Sequence, residues 1–126
     1  MKSNITIKPW GKEILLECNS KYVIKEIWMN KGLRSSLQKH EEKLESILVL
    51  SGKIELEIKE DGSSYFKKYN PGDHYTLVPG TFHRVKVLED SKLIEVSTPE
   101  LKDVIRIEDD FGREKGDKKS GNYRKS

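Results

Sequence analysis

Short stretches in which apolar and polar residues alternate dominate this chain, and turn residues separate them. Residues 53–59 are the clearest case, because Ile54, Leu56 and Ile58 alternate with charged residues as in a half-exposed antiparallel strand. Helical periodicity is weak, and a short helical turn fits only residues 99–104. The pattern predicts an all-β fold, a small barrel or sandwich, with strands over residues 12–18, 21–30, 33–40, 45–50, 53–59, 64–69, 74–78, 82–88 and 92–98.

Glycine, proline, asparagine and aspartate mark where these strands end. Asp61-Gly62 is a tight hairpin signal between two alternating segments. Ser51-Gly52 is predicted to turn the chain between residues 45–50 and 53–59, and further turns are predicted at residues 70–73 and at Pro79-Gly80.

Length and charge favour one domain with a basic tail. The chain has 126 residues, 34% apolar and 36% charged, and a single domain of this size buries one core. The net charge is +3, but residues 113–126 hold six basic and two acidic residues, so the rest of the chain is close to neutral. We predict a domain over residues 1–113 and a disordered basic tail over residues 114–126, and no nucleic-acid partner.

Other compositional signals exclude several classes of protein. Cys18 is the single cysteine, so the chain carries neither an internal disulfide nor a CxxC zinc site. The first residues lack the apolar core of a signal peptide, and no segment approaches the ~18–20 apolar residues of a membrane span. We therefore expect a cytoplasmic protein without a membrane partner.

Four residues have the types and spacing of a metal site. Gln38 and His40 are two apart, so on a strand they share one face. Glu45 opens the next strand, and His83 follows the Pro79-Gly80 turn at the start of another. If the strands close into a barrel, these side chains converge inside it. Two imidazoles, a carboxylate and an amide oxygen suit one divalent transition metal, namely Zn, Mn, Co, Fe or Ni.

The same residues resemble a known sequence pattern. The spacing Gly32-x5-Gln38-x-His40-x4-Glu45-x6-Gly52 resembles the first cupin motif, with Gln in place of the usual first His. Residues 72–83, from Gly-Asp to the His after Pro-Gly, resemble the second cupin motif. The resemblance implies a single-domain cupin, a double-stranded β-helix or jelly-roll barrel with the metal held in its mouth.

Four segments narrow the resemblance to one group of cupins. Residues 8–11 (KPWG), 36–40 (SLQKH), 79–84 (PGTFHR) and 104–113 (VIRIEDDFGR) resemble segments of type II mannose-6-phosphate isomerases. In that family this is the C-terminal isomerase domain, joined to a guanylyltransferase. Because the chain lacks that partner domain, the resemblance implies a free-standing isomerase.

The resemblance implies a metal-dependent aldose–ketose isomerase of a sugar phosphate. Mannose 6-phosphate to fructose 6-phosphate is the leading reaction, and it would feed nucleotide-sugar and polysaccharide synthesis. Lys25 matches a family lysine and is a candidate proton shuttle. Arg34 shares strand parity with Gln38 and His40, so we expect it to face the same cavity and to be catalytic. Ser36, Arg84 and Arg106 are candidate substrate-binding residues, although a regular strand turns Arg84 away from the face of His83.

Two other functions stay open at this stage. A non-catalytic sugar-binding cupin is favoured by Ser46-Ile47, which stand where the family usually has His-Trp after the ligand glutamate. A cupin enzyme of another class, a dioxygenase or a nucleotide-sugar isomerase or epimerase, is the third candidate. A small-molecule sugar phosphate is the expected ligand, and we predict a homodimer, since pairing protects exposed sheet edges.

Overall fold

The computed structural model describes residues 4–100 and 103–112, and the fold within them is all-β. These residues form nine strands and contain no helix. The all-β class predicted from the sequence is confirmed. The strands are β1 (Ile5–Lys8), β2 (Gly11–Cys18), β3 (Val23–Met29), β4 (Leu37–His40), β5 (Glu45–Glu60), β6 (Ser63–Tyr69), β7 (His74–Leu77), β8 (Phe82–Ser97) and β9 (Val104–Glu108).

The two longest strands, β5 and β8, are central to the barrel, because they pair antiparallel with each other along almost their whole length. The beginning of β5 and the end of β8 belong to one layer, in the order β1-β2-β3-β8-β5-β7. The end of β5 and the beginning of β8 belong to the other, in the order β6-β5-β8-β4-β9. The sheet thus curls over on itself and encloses one interior.

That interior holds a single apolar core. Strand residues point alternately inward and outward, and the inward positions of the predicted strands are the buried ones. Residues 54 and 56 of β5, for example, are 0% and 4% exposed. The core cluster is Trp10, Ile27, Met29, Ile47, Val49, Ile54, Leu56, Tyr69, Tyr75, Leu77, Val85, Val87 and Leu93.

The predicted turn at Ser51-Gly52 is wrong, because β5 continues through it. Pairing with β8 shifts register between Val49 and Ile54, so the segment is a bulge in a continuous strand. Gly52 has φ 86°, and a Cβ there would lie 2.3 Å from the Asp90 carbonyl oxygen. Glycine is therefore required at position 52, but the reason is the close approach of the β8 backbone and not a turn. Residues 82–88 and 92–98 likewise join into one strand, β8.

The remaining boundaries have mixed outcomes. The Asp61-Gly62 hairpin is confirmed: both residues have positive φ, 50° and 79°, and Glu60 pairs with Ser63 across the turn. Strand β1 was not predicted. The helical turn proposed for residues 99–104 is not supported at its end, since Val104 opens β9, and residues 101–102 lie outside the described part.

The basic tail over residues 114–126 lies outside the described residues, so its prediction is untested. For the residues that are described, we find no helix with the length and hydropathy needed to cross a bilayer.

Candidate metal centre

The topology brings together three of the four predicted metal ligands. His40 is the last residue of β4, Glu45 is the first residue of β5, and His83 is the second residue of β8. Strands β4 and β8 are paired antiparallel, with His83 opposite Gln38. All three side chains are buried and line one cavity of about 130 Å³. One ligand atom from each lies within 4.8 Å of the other two. These three atoms are therefore close enough together for one ion to be held by all three residues.

Hydrogen bonds orient both imidazoles for metal binding. His40 Nδ1 lies 2.9 Å from an Asp103 carboxylate oxygen, and His83 Nδ1 lies 3.0 Å from the Thr81 carbonyl oxygen. Because both partners are acceptors, each Nδ1 carries the proton and donates it, which leaves Nε2 as a free electron-pair donor. Metal-binding histidines in proteins are held by partners of this kind.

Gln38, the fourth predicted ligand, also lines the cavity. Its Oε1 atom accepts a hydrogen bond of 2.6 Å from the Ser36 hydroxyl. An amide oxygen has two lone pairs, so a second lone pair is available for a metal or for a molecule bound to it. Its role as a ligand stays a prediction.

A buried lysine adjoins the cluster. Lys43 Nζ lies 3.0 Å from Glu45 Oε1 and 3.3 Å from Glu95 Oε2, and all three side chains are less than one-tenth exposed. Burial makes isolated charges costly, but this ammonium is paired on both sides.

Burial and these ion pairs move the pKa values at the site. Burial lowers the pKa of His40 and of His83, so both imidazoles are neutral at neutral pH. Burial, reinforced by the charge of Glu95, raises the pKa of Glu45. Burial also disfavours ionised Glu95, but contact with the Lys43 ammonium outweighs it and lowers the pKa of Glu95 to about 2.

The donor set fits a divalent transition metal. Two neutral imidazole nitrogens and one carboxylate suit such an ion and leave positions open for further ligands. Glu45 Oε1 lies 3.6 Å from His40 Nε2, so the carboxylate is directed into this donor set, and the Lys43 ammonium contacts the same oxygen at 3.0 Å. His40, Glu45 and His83 would therefore hold the metal.

Other charged residues surround the rest of the cavity. Lys25 and Glu13, on neighbouring strands β3 and β2, form an ion pair of 3.0 Å, and their side chains are 13% and 16% exposed. Arg106 of β9 and Lys8 at the end of β1 line the same cavity. Of the predicted catalytic and substrate-binding residues, the structure thus brings Lys25 and Arg106 to the site.

The expectation that Arg34 faces this cavity is wrong. Strand parity fails because residues 34–36 precede β4 and lie outside a regular strand. Arg34 forms an isolated bridge to β8, Ser35 is hydrogen-bonded to Val85 of β8, and a register shift follows at Leu37. The Arg34 guanidinium is exposed and binds Asp110 through two hydrogen bonds of 2.6 and 2.9 Å.

Ser36 and Arg84 do not line the cavity either. Ser36 is 0% exposed, and its hydroxyl contacts Gln38 from behind. Arg84 follows His83 in a regular strand and so points away, where it donates hydrogen bonds to the backbone carbonyls of Ser35 and Glu108. Direct substrate contact is therefore not supported for either residue.

Sequence reasoning missed Glu13, Lys43, Glu95 and Asp103. A signal existed for Glu95, which shares strand parity with the buried Leu93 and Ser97 and is therefore a charged residue on an apolar face. Lys43 and Asp103 gave no comparable signal, because Glu95, which Lys43 contacts, and His40, which Asp103 orients, are 52 and 63 residues away in the chain.

An antiparallel barrel that gathers two histidines and a glutamate beside its interior cavity defines a cupin. The chain belongs to the family described as mannose-6-phosphate isomerase C-terminal, whose model matches residues 2–109. No curated protein matches the sequence as a relative.

Solved structures share the fold at low identity. KdgF from Halomonas sp. is 20% identical with a TM-score of 0.65, and the match covers 74% of this chain and 82% of KdgF. A mutant of oxalate decarboxylase OxdC from Bacillus subtilis is 15% identical with a TM-score of 0.68. That match covers 76% of this chain and 27% of the decarboxylase. These likenesses establish the cupin fold.

Proposed function

We propose that this protein is a metal-dependent aldose–ketose isomerase of a sugar phosphate, with mannose 6-phosphate to fructose 6-phosphate as the reaction to test first. The observation that carries the proposal is the convergence of His40, Glu45 and His83 on one cavity in a chain of the mannose-6-phosphate isomerase family. Run in the reverse direction, the interconversion would supply mannose 6-phosphate to nucleotide-sugar and polysaccharide synthesis.

A bound divalent ion would polarise the substrate carbonyl and hold its neighbouring hydroxyl oxygen. The chain's own residues must then move a proton between C1 and C2. Lys25 and Glu13, which both line the cavity and lie 3.0 Å apart, are the candidates for this transfer: the Glu13 carboxylate can accept the proton from one carbon and return it to the other, and the Lys25 ammonium can exchange a proton with the substrate oxygens. The two residues therefore form the proposed acid–base pair.

The charge of the cavity supports an anionic substrate. Its lining carries four basic and three acidic side chains, so a divalent ion would bring the net charge to about +3. A phosphate dianion complements such a surface. The seven residues are Lys8, Lys25, Lys43, Arg106, Glu13, Glu45 and Glu95.

The size of the cavity supports partial entry of the sugar. Its volume of about 130 Å³ is close to the ~150 Å³ of an engineered cavity that binds benzene. The enclosed space therefore suits the reacting end of an open-chain sugar, and the phosphate would remain at the mouth. Lys8 and Arg106 are the cations that we assign to it.

The test is an NMR time course with mannose 6-phosphate in D₂O, using protein loaded with Mn, Co, Zn, Fe or Ni. We expect metal-dependent formation of fructose 6-phosphate, with deuterium at C1 or C2 if the proton exchanges with solvent. His40→Ala should abolish it, whereas His74→Ala, at an exposed histidine of β7, should not.

Failure to turn over with every metal would contradict mannose 6-phosphate as the substrate. Metal-dependent binding of the sugar phosphate without turnover would then favour a sugar-binding cupin. Metal-dependent oxygen uptake would favour a dioxygenase.

We also propose a homodimer formed through the outer face of the sheet. Ile7 on the edge strand β1 is 77% exposed, and Leu48, Leu50 and Val96 expose between 39% and 43% of their surface on that face. A second copy would cover these side chains and the free edge of β1. Light scattering at micromolar concentration should give a mass of two chains for the unmodified protein. The Ile7→Lys variant should give the mass of a single chain. A monomeric mass for the unmodified protein would contradict the proposal.

A further inference from the structure

Three buried charges form a row beside the metal centre. The row runs from Glu45 through the Lys43 ammonium to Glu95, with contacts of 3.0 and 3.3 Å. Glu45 is a proposed metal ligand, but neither Lys43 nor Glu95 has a part in the proposed isomerisation. A buried lysine in contact with a metal ligand is unexpected, because its positive charge repels the ion that the ligand would bind.

The chain holds Lys43 in this place through the backbone. Asp103 accepts hydrogen bonds from the amides of Glu42 and Lys43, at 2.7 and 2.9 Å, while its other oxygen orients His40. The amide of Leu44 donates to the Thr98 hydroxyl. The loop between β4 and β5 is therefore fastened on both sides of Lys43, and this side chain is directed inward rather than into solvent.

Glu95 is the group that this arrangement restrains. It lies on the inner face of β8 and lines the same cavity as the three ligands. Yet it is outside the cluster of His40, Glu45 and His83, and one of its oxygens is bound to Lys43. Without the ammonium, the carboxylates of Glu45 and Glu95 would lose the cation between them, leaving Lys25, opposite Glu95 on β3, as the remaining basic neighbour. A divalent cation would relieve the repulsion between the two carboxylates.

We propose that Lys43 determines the coordination of the metal centre, because its ammonium engages Glu95 and so prevents that carboxylate from becoming a further metal ligand. A site closed by protein ligands on all sides is structural, whereas a catalytic site keeps positions open. Lys43 thus preserves the open positions that a substrate needs, at the expense of metal affinity. This inference rests on the metal centre of the proposed function but not on its substrate.

The test compares cobalt binding by four purified proteins: the unmodified chain, Lys43→Met, Glu95→Gln and the double variant. Calorimetry gives the affinity, and the visible absorption of bound Co²⁺ reports its coordination. We expect Lys43→Met to bind Co²⁺ roughly tenfold more tightly or better, since second-sphere changes alter affinity by about 10–100-fold. The visible absorption spectrum of Co²⁺ bound to this variant should also change, because Glu95 would coordinate the ion.

The other two variants complete the cycle. Glu95→Gln leaves the ammonium with Glu45 alone, so its affinity should fall. The double variant removes both charges, and its affinity and spectrum should return close to those of the unmodified protein. Lys39→Met, on the strand β4 just before the same loop, is the matched control and should change neither quantity.

Weaker or unchanged cobalt binding by folded Lys43→Met would overturn the proposal, because it would make Lys43 a support for Glu45. If Lys43→Met does not fold, as judged by circular dichroism, the other two variants decide. Unchanged affinity in Glu95→Gln, or a double variant far from the unmodified protein, would also overturn it. Since no sugar is used, failure of the isomerase assay leaves this test intact.

Discussion

Two groups of charged residues lie on opposite sides of strand β8. The cavity cluster consists of His40, Glu45, His83, Lys43 and Glu95, and the outer cluster consists of Arg34, Arg84, Glu108 and Asp110. His83 and Arg84 are adjacent in β8, yet each belongs to a different cluster because strand side chains alternate.

The clusters differ in which polar groups remain available. In the outer cluster both guanidinium groups are engaged: Arg34 with Asp110, and Arg84 with Glu108 and the Ser35 carbonyl. These contacts fasten β9 and the residues after it to the barrel. In the cavity cluster each imidazole is hydrogen-bonded through Nδ1, and its Nε2 atom faces the interior. Charge density alone therefore does not mark a site; unsatisfied and oriented donor atoms do.

Removal of a metal ligand should separate the clusters most strongly. We expect His83→Ala to reduce metal affinity by more than the roughly 10–100-fold that loss of an outer partner costs, and to abolish isomerase activity. The reason is that only two of the three converging ligands would remain. Metal content after gel filtration, measured against His74→Ala, checks this. A His83→Ala protein that retains stoichiometric metal would contradict it.

Lys25 should affect the reaction without affecting the metal. We expect Lys25→Met to lower kcat about 100-fold or more, since a positioned proton-transfer group contributes ~10²–10⁴-fold. Metal affinity should stay within about twofold, because Lys25 is paired with Glu13 and is not one of the three converging ligands. Steady-state kinetics and calorimetry on the same sample measure both. Lys12→Met, at an outward position of β2 beside Trp28, is the control; an equal loss of kcat there would remove the assignment.

Asp103 should influence the centre through His40. We expect Asp103→Ala to weaken metal binding about 10–100-fold, the usual range for the acceptor that orients a ligating histidine. It also releases the amides of Glu42 and Lys43. Calorimetry with Zn²⁺ measures the change, and Asp73→Ala, which removes a comparable turn contact to Asn70, is the control. Unchanged affinity would show that His40 is oriented in another way.

Glu95 should make stability depend on acid. Its pKa in the folded protein is about 2, below its ordinary value of 4.5, because of Lys43. A carboxylate whose pKa is lower in the folded than in the unfolded state stabilises the fold at pH values above its pKa in the unfolded chain. This contribution is lost as the pH falls through its pKa in the folded protein. Between about pH 4.5 and 2, the unfolding free energy of the metal-free protein should therefore fall more steeply than that of Glu95→Gln. Parallel curves from urea titrations would contradict the pairing.

Arg34 should matter least, although its sequence position favoured a catalytic role. Its guanidinium is exposed and paired with Asp110, so Arg34→Ala should cost less than ~1 kcal/mol of stability. We expect kcat/KM to stay within about twofold, because the side chain does not reach the cavity. A loss of tenfold or more in kcat/KM would return Arg34 to the site.

The sequence was informative wherever a residue's surroundings are local or where periodicity holds. The alternation at Ile54, Leu56 and Ile58 predicted a strand, and the motif spacing predicted the meeting of His40, Glu45 and His83. Parity failed at Arg34, because the chain there is not a regular strand. The Lys43–Glu95 pair could not be foreseen, since it depends on the register between β5 and β8 and on a loop conformation fixed by Asp103.

The metal centre itself is tested most directly by a crystal structure of the protein grown with Co²⁺ and recorded at the cobalt absorption edge. We predict one anomalous difference peak inside the barrel, about 2.1 Å from His40 Nε2, His83 Nε2 and a Glu45 oxygen, with Glu95 still bound to Lys43. An empty interior at saturating cobalt, or a peak held by other residues, would contradict the account.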